Sequence, residues 1–225
     1  MKGKICYIVG AGDLKGQSFK MPHKGLLIAA DGGYKELQKK KIEVDLVIGD
    51  FDSLKTIPED IPVYRYPINK DETDMKLALV KGISMGYDTF IIYGGLGGRT
   101  DHTFSNMQLL IYLKENGYSG FLIRGEEAIT CLKNESFLLK SQPGKRLSVF
   151  SINSISKGVT LKGFLYPLND SRLYYTEPKG ISNEFKEETG IVSVKEGMLF
   201  VIWESRDPLE SISGGQKEDD KETST

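Results

Sequence analysis

The sequence is poor in thiols and imidazoles. Its two cysteines, Cys6 and Cys131, each sit in apolar surroundings with no partner at metal-ligand spacing. That argues against a thiolate metal centre or a disulfide-stapled fold and leaves both as small buried hydrophobes. Charge of one sign is missing too. Thirty basic residues against 31 acidic ones leave a formal net charge of -1, so there is no electrostatic reason to bind nucleic acid or anionic lipid. Long apolar runs are absent: segments such as Phe90–Tyr93 are far too short to span a bilayer, and Met1–Gly10 holds no long apolar stretch with a cleavage site. A cytoplasmic protein with neither a membrane nor a nucleic-acid partner is the expectation. The Walker A phosphate loop, with its Gly-Lys-Ser/Thr ending, is also missing.

What is present is the composition of an ordinary globular protein, 39% hydrophobic and 27% charged over 225 residues. Short apolar runs read as strands at Ile5–Val9, Leu26–Ala30, Leu46–Ile48, Val63–Tyr66, Thr89–Tyr93 and Gly120–Ile123. Helical patterns at Gly33–Lys41, Thr73–Met85 and Ser105–Asn116 lie between several of them. This alternation predicts an α/β domain with a mainly parallel sheet, covered on both faces. Beyond about residue 135 the segments are short, β-rich and separated by Gly, Pro, Asn or Ser, from Phe137–Lys140 through to Met198–Trp203, which predicts an all-β sandwich. Trp203 ends an apolar strand and is expected in the core. From Ser211 onward Ile212 is the only large apolar residue, too little to order a tail. The expected domains are 1–133, α/β; 134–208, β-sandwich; and 209–225, a disordered tail.

Carboxylates recur where the strands of the first domain end. Asp31-Gly32-Gly33 follows the second strand and Gly49-Asp50-Phe51-Asp52-Ser53 the third. Lys70-Asp71-Glu72-Thr73-Asp74 follows the fourth, and a glycine-rich stretch running into Arg99-Thr100-Asp101-His102 follows the fifth. Open α/β sheets bind ligands at the carboxyl ends of their strands. Acids converging on that edge repel one another, and Mg²⁺ is the natural counter-ion because it is commonly shared between carboxylates and substrate phosphates. Gly94–Gly98, with four glycines in five positions, suits close backbone approach to phosphate oxygens. Arg99 adds a planar, permanently charged donor. Each motif also has a plain structural reading. Asp31-Gly32-Gly33 suits a strand-to-helix turn, Asp71 and Thr73 suit helix capping, and His102 suits simple packing.

The ordered series Asp31-Gly32-Gly33, Gly49–Ser53, Lys70–Asp74, Gly97–His102 and Ser182-Asn183-Glu184 resembles the motif series of bacterial thiamine pyrophosphokinases, over nearly the whole chain except the tail. The resemblance implies transfer of pyrophosphate from ATP to the hydroxyethyl group of thiamine, with Mg²⁺ as cofactor. It implies a homodimer in which thiamine lies between the α/β domain of one subunit and the sandwich of the other. By the same resemblance Asp50, Asp52 and Asp74 hold the metal. Asp31, Gly32, Gly33, Lys70, Gly97, Gly98, Arg99, Thr100 and His102 bind ATP. Thr73, Asp74, Ser182 and Asn183 bind thiamine, with Phe185 as the aromatic stacking on it. Arg99, with Asp71 or Asp101 orienting the attacking hydroxyl, completes the catalytic set. Three rival readings stay open at this point. One is a phosphohydrolase with an aspartyl nucleophile, whose Lys and Ser/Thr motifs lack clear counterparts here. The others are a pyrophosphokinase for another primary alcohol and a non-catalytic nucleotide-binding sensor.

Overall fold

A computed structural model describes residues 3–12, 14, 19–49, 60–65 and 72–213. The chain divides after Gly125 into two compact units. In the first, apolar runs become strands because every residue of β1 (Ile5–Val9) and β5 (Thr89–Tyr93) is buried. With β2 (Gly25–Ala30), β3 (Leu46–Gly49), β4 (Val63–Arg65) and β6 (Ser119–Arg124) they form a sheet in the order β6-β5-β1-β2-β3-β4. Each neighbouring pair is parallel, with Ile8 paired both to Ile28 of β2 and to Ile92 of β5. Parallel pairing puts every carboxyl end on one edge, and it needs apolar cover on the faces.

That cover comes from α1 (Gly33–Lys39), α2 (Asp74–Ser84) and α3 (Thr100–Glu115). Helix α2 buries Met75, Leu77, Ala78 and Leu79. It comes so close to the sheet at Gly82 that a Cβ there would lie 2.7 Å from Phe90 Cε1 and 3.1 Å from Cys6 Sγ. Cys6 is fully buried, and burial, with Asp45 nearby, pushes its thiol far above the ordinary range, so it packs rather than reacts. Helix α3 starts at Thr100, one turn before the expected Ser105. No helix among the described residues is long and apolar enough to cross a membrane.

The second unit is an antiparallel sandwich. One sheet runs β12-β9-β14-β7 and the other β11-β10-β13-β8. The first comprises β12 (Asn183–Glu184), β9 (Arg146–Ser151), β14 (Met198–Glu204) and β7 (Glu127–Lys133). The second comprises β11 (Leu168–Tyr174), β10 (Ile155–Lys162), β13 (Thr189–Ser193) and β8 (Ser136–Lys140). Strand β7 corrects the expected boundary at residue 133. It pairs with β14 along its whole length, Met198 against Lys133 to Glu204 against Glu127, and falls within the second unit. Trp203 lies in the core as expected, 1% exposed.

The expected tail from 209 also needs correction over its first residues. Pro208–Ser213 form helix α4, which buries Leu209 and Ile212. These two sit three apart and therefore share a helix face. Ser211 accepts a 3.1 Å hydrogen bond from the Trp203 indole N–H, and its own hydroxyl donates to the Lys140 carbonyl. Residues 214–225 lie outside the described residues. A chain ending at Asp207 should lose about 3–5 kcal/mol of unfolding free energy, from two buried aliphatic side chains and an orphaned indole N–H. Denaturant unfolding measures this. An unchanged midpoint would show that α4 contributes nothing.

Candidate active site

The chain runs β1 to β2, β3 and β4 on one side of the sheet, then returns through α2 to β5 on the other side of β1. The carboxyl ends of β1 and β5 therefore flank the topological switch point, where open α/β sheets hold ligands. A cavity of about 430 Å³ opens there, lined by Gly10–Gly12, Ala30, Asp31, Glu72–Met75, Gly94–Leu96, Gly98, Arg99 and part of α3 from His102 to Asn106. Its floor is backbone. Gly10 N donates to Tyr93 O and Gly12 N to Gly94 O, both at 2.9 Å. A Cβ on Gly12 would lie 2.8 Å from the Gly94 carbonyl carbon, and Gly94 itself has φ +66°. Asn106, buried on α3, donates from Nδ2 to Gly95 O at 2.8 Å and fixes the other end of the glycine loop.

Of the residues expected at an ATP or thiamine site, Asp31, Thr73, Asp74, Gly98, Arg99 and His102 line this cavity. Asp50, Asp52, Lys70 and Asp71 lie outside the described residues. Several others have a structural task instead. Gly33 is buried against the end of β1, where a Cβ would meet the Val9 carbonyl carbon at 2.6 Å. Gly32 is the N-cap position of α1, and a Cβ there would lie 2.9 Å from Ala11 Cβ. Gly97, with φ +69°, packs under the Arg124 guanidinium and does not line the cavity, nor does Thr100 at the start of α3. Thr73 does line it, but its hydroxyl accepts from Lys76 N at 3.2 Å as the N-cap of α2.

Arg99 and Asp101 hold each other. The guanidinium donates from Nε to Oδ1 at 3.1 Å and from Nη2 to Oδ2 at 2.6 Å. The hydrogen bonds from Arg99, helped by the His102 amide, hold the exposed Asp101 carboxyl below the usual carboxylate range, while those to Asp101 raise the Arg99 guanidinium. So paired, Asp101 is a weak proton acceptor, and it does not line the cavity. Among the described residues no three carboxylate, histidine or cysteine side chains gather closely enough to hold a metal ion. Asp31, Glu72 and Asp74 nonetheless put hard oxygen donors on the cavity wall, the chemistry a magnesium ion takes.

The second group of expected residues lies in the sandwich. Ser182 is exposed with φ +57°, and its N–H donates to Ser148 Oγ at 3.1 Å. Asn183, expected to contact ligand, is buried and its amide makes three hydrogen bonds within the corner. Oδ1 accepts from Tyr166 N at 3.0 Å and Glu184 N at 2.9 Å, and Nδ2 donates to Tyr166 O at 2.7 Å. Phe185, expected as the aromatic stacking on thiamine, lies inside the sandwich. It is 1% exposed, edge-on to Phe164 with ring centroids 4.8 Å apart, and has no free face for a ligand. Phe164 and Phe185 are bridged, so the strand segment ending at Tyr166 runs antiparallel beside Asn183. Tyr166, 64% exposed, is held through its backbone by Asn183, the neighbour of Ser182 in the chain.

Sequence reasoning missed Gly10-Ala11-Gly12, Asn106 and Tyr166. A Gly-x-Gly directly after the first strand was the available signal for the first. The other two become visible only when their elements pack. Asn183→Ala should lose about 2 kcal/mol of stability, because it leaves the Tyr166 N–H and C=O and the Glu184 N–H without their partner in a half-buried corner. Chemical denaturation checks this. A loss below about 1 kcal/mol would mean water replaces the amide.

Residues 20–122 match the family described as thiamin pyrophosphokinase, catalytic domain, and residues 134–199 match thiamin pyrophosphokinase, vitamin B1 binding domain. The thiamine pyrophosphokinase of Bacillus subtilis is 30% identical over 184 residues, 79% of this chain and 86% of that one. A crystal structure of the Bacillus subtilis enzyme superposes with a TM-score of 0.82 at 27% identity, covering 90% of this chain and 99% of the other. That of thiamin pyrophosphokinase from Geobacillus thermodenitrificans gives 0.79 at 26% identity, covering 89% and 97%. The chain belongs to the thiamine pyrophosphokinase family.

Proposed function

We propose that this chain moves the terminal pyrophosphoryl group of ATP to the hydroxyethyl oxygen of thiamine, giving thiamine pyrophosphate and AMP. The observation that carries this is the presence, in order on one chain, of both family domains, catalytic at 20–122 and vitamin B1 binding at 134–199. The cavity at the β1/β5 switch point supports the nucleotide half of the reading.

In the reaction the thiamine hydroxyl oxygen bonds to the β-phosphorus of ATP. The bond from that phosphorus to the α,β-bridging oxygen breaks, that oxygen leaves on AMP, and the hydroxyl proton passes to solvent or a nearby carboxylate. Such transfers depend on positioning and charge neutralisation more than on covalent help from the protein. Gly98, the first turn of α3 and Arg99 meet the phosphates. For Arg99 this means sharing or releasing its fork to Asp101. Asp74, with Asp50 and Asp52, would hold magnesium, which neutralises phosphate charge when bound. Orientation of the hydroxyl falls to Asp71 rather than Asp101, which does not line the cavity. In the sandwich, Ser182 meets the aminopyrimidine. Tyr166 replaces Phe185 as the aromatic face, an assignment supported by its exposure and by the Asn183 clamp on its backbone. A cytoplasmic homodimer, with the two halves of the thiamine site from different subunits, completes the reading.

Incubating the protein with ATP, magnesium and thiamine and separating the products tests it. AMP and thiamine pyrophosphate should appear in equal amounts. ADP with thiamine monophosphate would overturn the choice of phosphorus, and no thiamine product at all would overturn the substrate.

A further inference from the structure

The loop after β1 lies outside the stretch 20–122 that matches the catalytic family, yet it forms a wall of the cavity. Gly10 and Gly12 are bound to the end of β5, and Ala11 meets the end of β2, where only the lack of a Cβ on Gly32 makes room for it. Directly beside Gly32 stands Asp31, which also lines the cavity. Its backbone is held in the left-handed region at φ +44°, its N–H donates to Ile48 O at 2.8 Å, and a Cβ on Gly49 would press on its Cα at 3.2 Å. Backbone strain of this kind in a residue other than glycine, on a cavity wall, is a mark of a placed functional group.

Charge separates the two sides of the cavity. The donors Gly98, Arg99 and the first turn of α3 follow β5, and the carboxylate of Asp31 follows β2. Phosphates meet the first side directly, and a carboxylate such as Asp31 meets them only through a cation. A carboxylate ending the second strand, about 20 residues after a Gly-x-Gly on the first, suits a different task, accepting hydrogen bonds from ribose hydroxyls. On the ATP reading above, we propose that Asp31 binds the ribose of the nucleotide, not its phosphates. Gly10-Ala11-Gly12 is the smooth wall along which the sugar lies. Asp31 is thereby a specificity-determining residue that selects ribonucleoside over deoxyribonucleoside triphosphates.

Calorimetric binding of ATP, 2′-deoxy-ATP and 3′-deoxy-ATP with magnesium and without thiamine tests this apart from turnover. The wild type should bind at least one deoxy analogue about tenfold or more weakly than ATP, since a carboxylate left without its hydroxyl partner loses a charged hydrogen bond. Asp31→Gly removes the carboxylate while suiting the positive φ, and in this variant the preference should fall to near one. Should Asp31→Gly unfold, Asp31→Asn, which tolerates the same backbone, should narrow the preference. Ala11→Leu should weaken all three nucleotides by similar factors. Equal binding of the three nucleotides by the wild type, or full discrimination retained without the carboxylate, overturns the proposal. Ribose discrimination lost with Asp31 in a protein that makes no thiamine pyrophosphate would sustain the site and refute the reaction. Thiamine pyrophosphate made without discrimination would do the reverse.

Discussion

The structure of the catalytic unit depends on one close approach, the backbone of Gly10–Gly12 against that of Gly94 at the ends of β1 and β5. Two hydrogen bonds of 2.9 Å join the loops, and neither Gly12 nor Gly94 has space for a side chain. The approach follows from topology. Parallel pairing of β1 with both β2 and β5 brings three loops to one edge, and connections leaving β1 and β5 on opposite sides open a crevice between them. Side chains at the junction would fill that crevice. Glycine keeps it open, and the residues around it, Asp31, Asp74, Arg99 and His102, then have a common space to face.

Charge at such an edge is costly unless it is answered. Asp101 is answered within the chain by Arg99, through two hydrogen bonds that keep it ionised. Asp31, Glu72 and Asp74 share the cavity wall, and a cation with its phosphates would offset their mutual repulsion. The sandwich meets a different problem. A strand corner that exposes Ser182 and Tyr166 cannot pair all its backbone groups by a regular ladder, and the Asn183 amide supplies the missing bonds. A residue that reads in the sequence as a ligand contact is the internal brace of the corner.

Much of the fold was legible because a strand buried on both faces is apolar at every position, as Ile5–Val9 and Thr89–Tyr93 are. Where one run followed another across a short turn, the reading failed. Strand β7 stood next to β6 in sequence, and only its pairing with β14 groups it with the second unit. Helix α3 was read from Ser105 because Arg99-Thr100-Asp101-His102 looked like the end of a loop, whereas Thr100 already begins the helix. The short α4 has no amphipathic period long enough to detect, and what orders it is Trp203 in a distant strand. At the site, motif order picked out Asp31 and Asp74, which line the cavity, while Asp50, Asp52 and Asp71 lie outside the described residues. It could not separate Gly33, which packs, from Asp31, which faces the cavity, nor tell that Phe185 turns inward while Tyr166 turns outward.

The glycine contact can be tested apart from backbone strain. Gly94 and Gly86 both have positive φ, +66° and +81°, but a Cβ at Gly86 would meet nothing within 4 Å, whereas one at Gly94 would lie 3.0 Å from the Gly10 carbonyl carbon. Alanine at either position adds about 1 kcal/mol of strain. ATP affinity of the two variants, each confirmed as folded, is the direct measurement. Gly94→Ala should bind ATP at least about tenfold more weakly than the wild type, with Gly86→Ala unchanged. Equal affinity in the two variants would contradict the claim that the closeness of these two loops makes the nucleotide site.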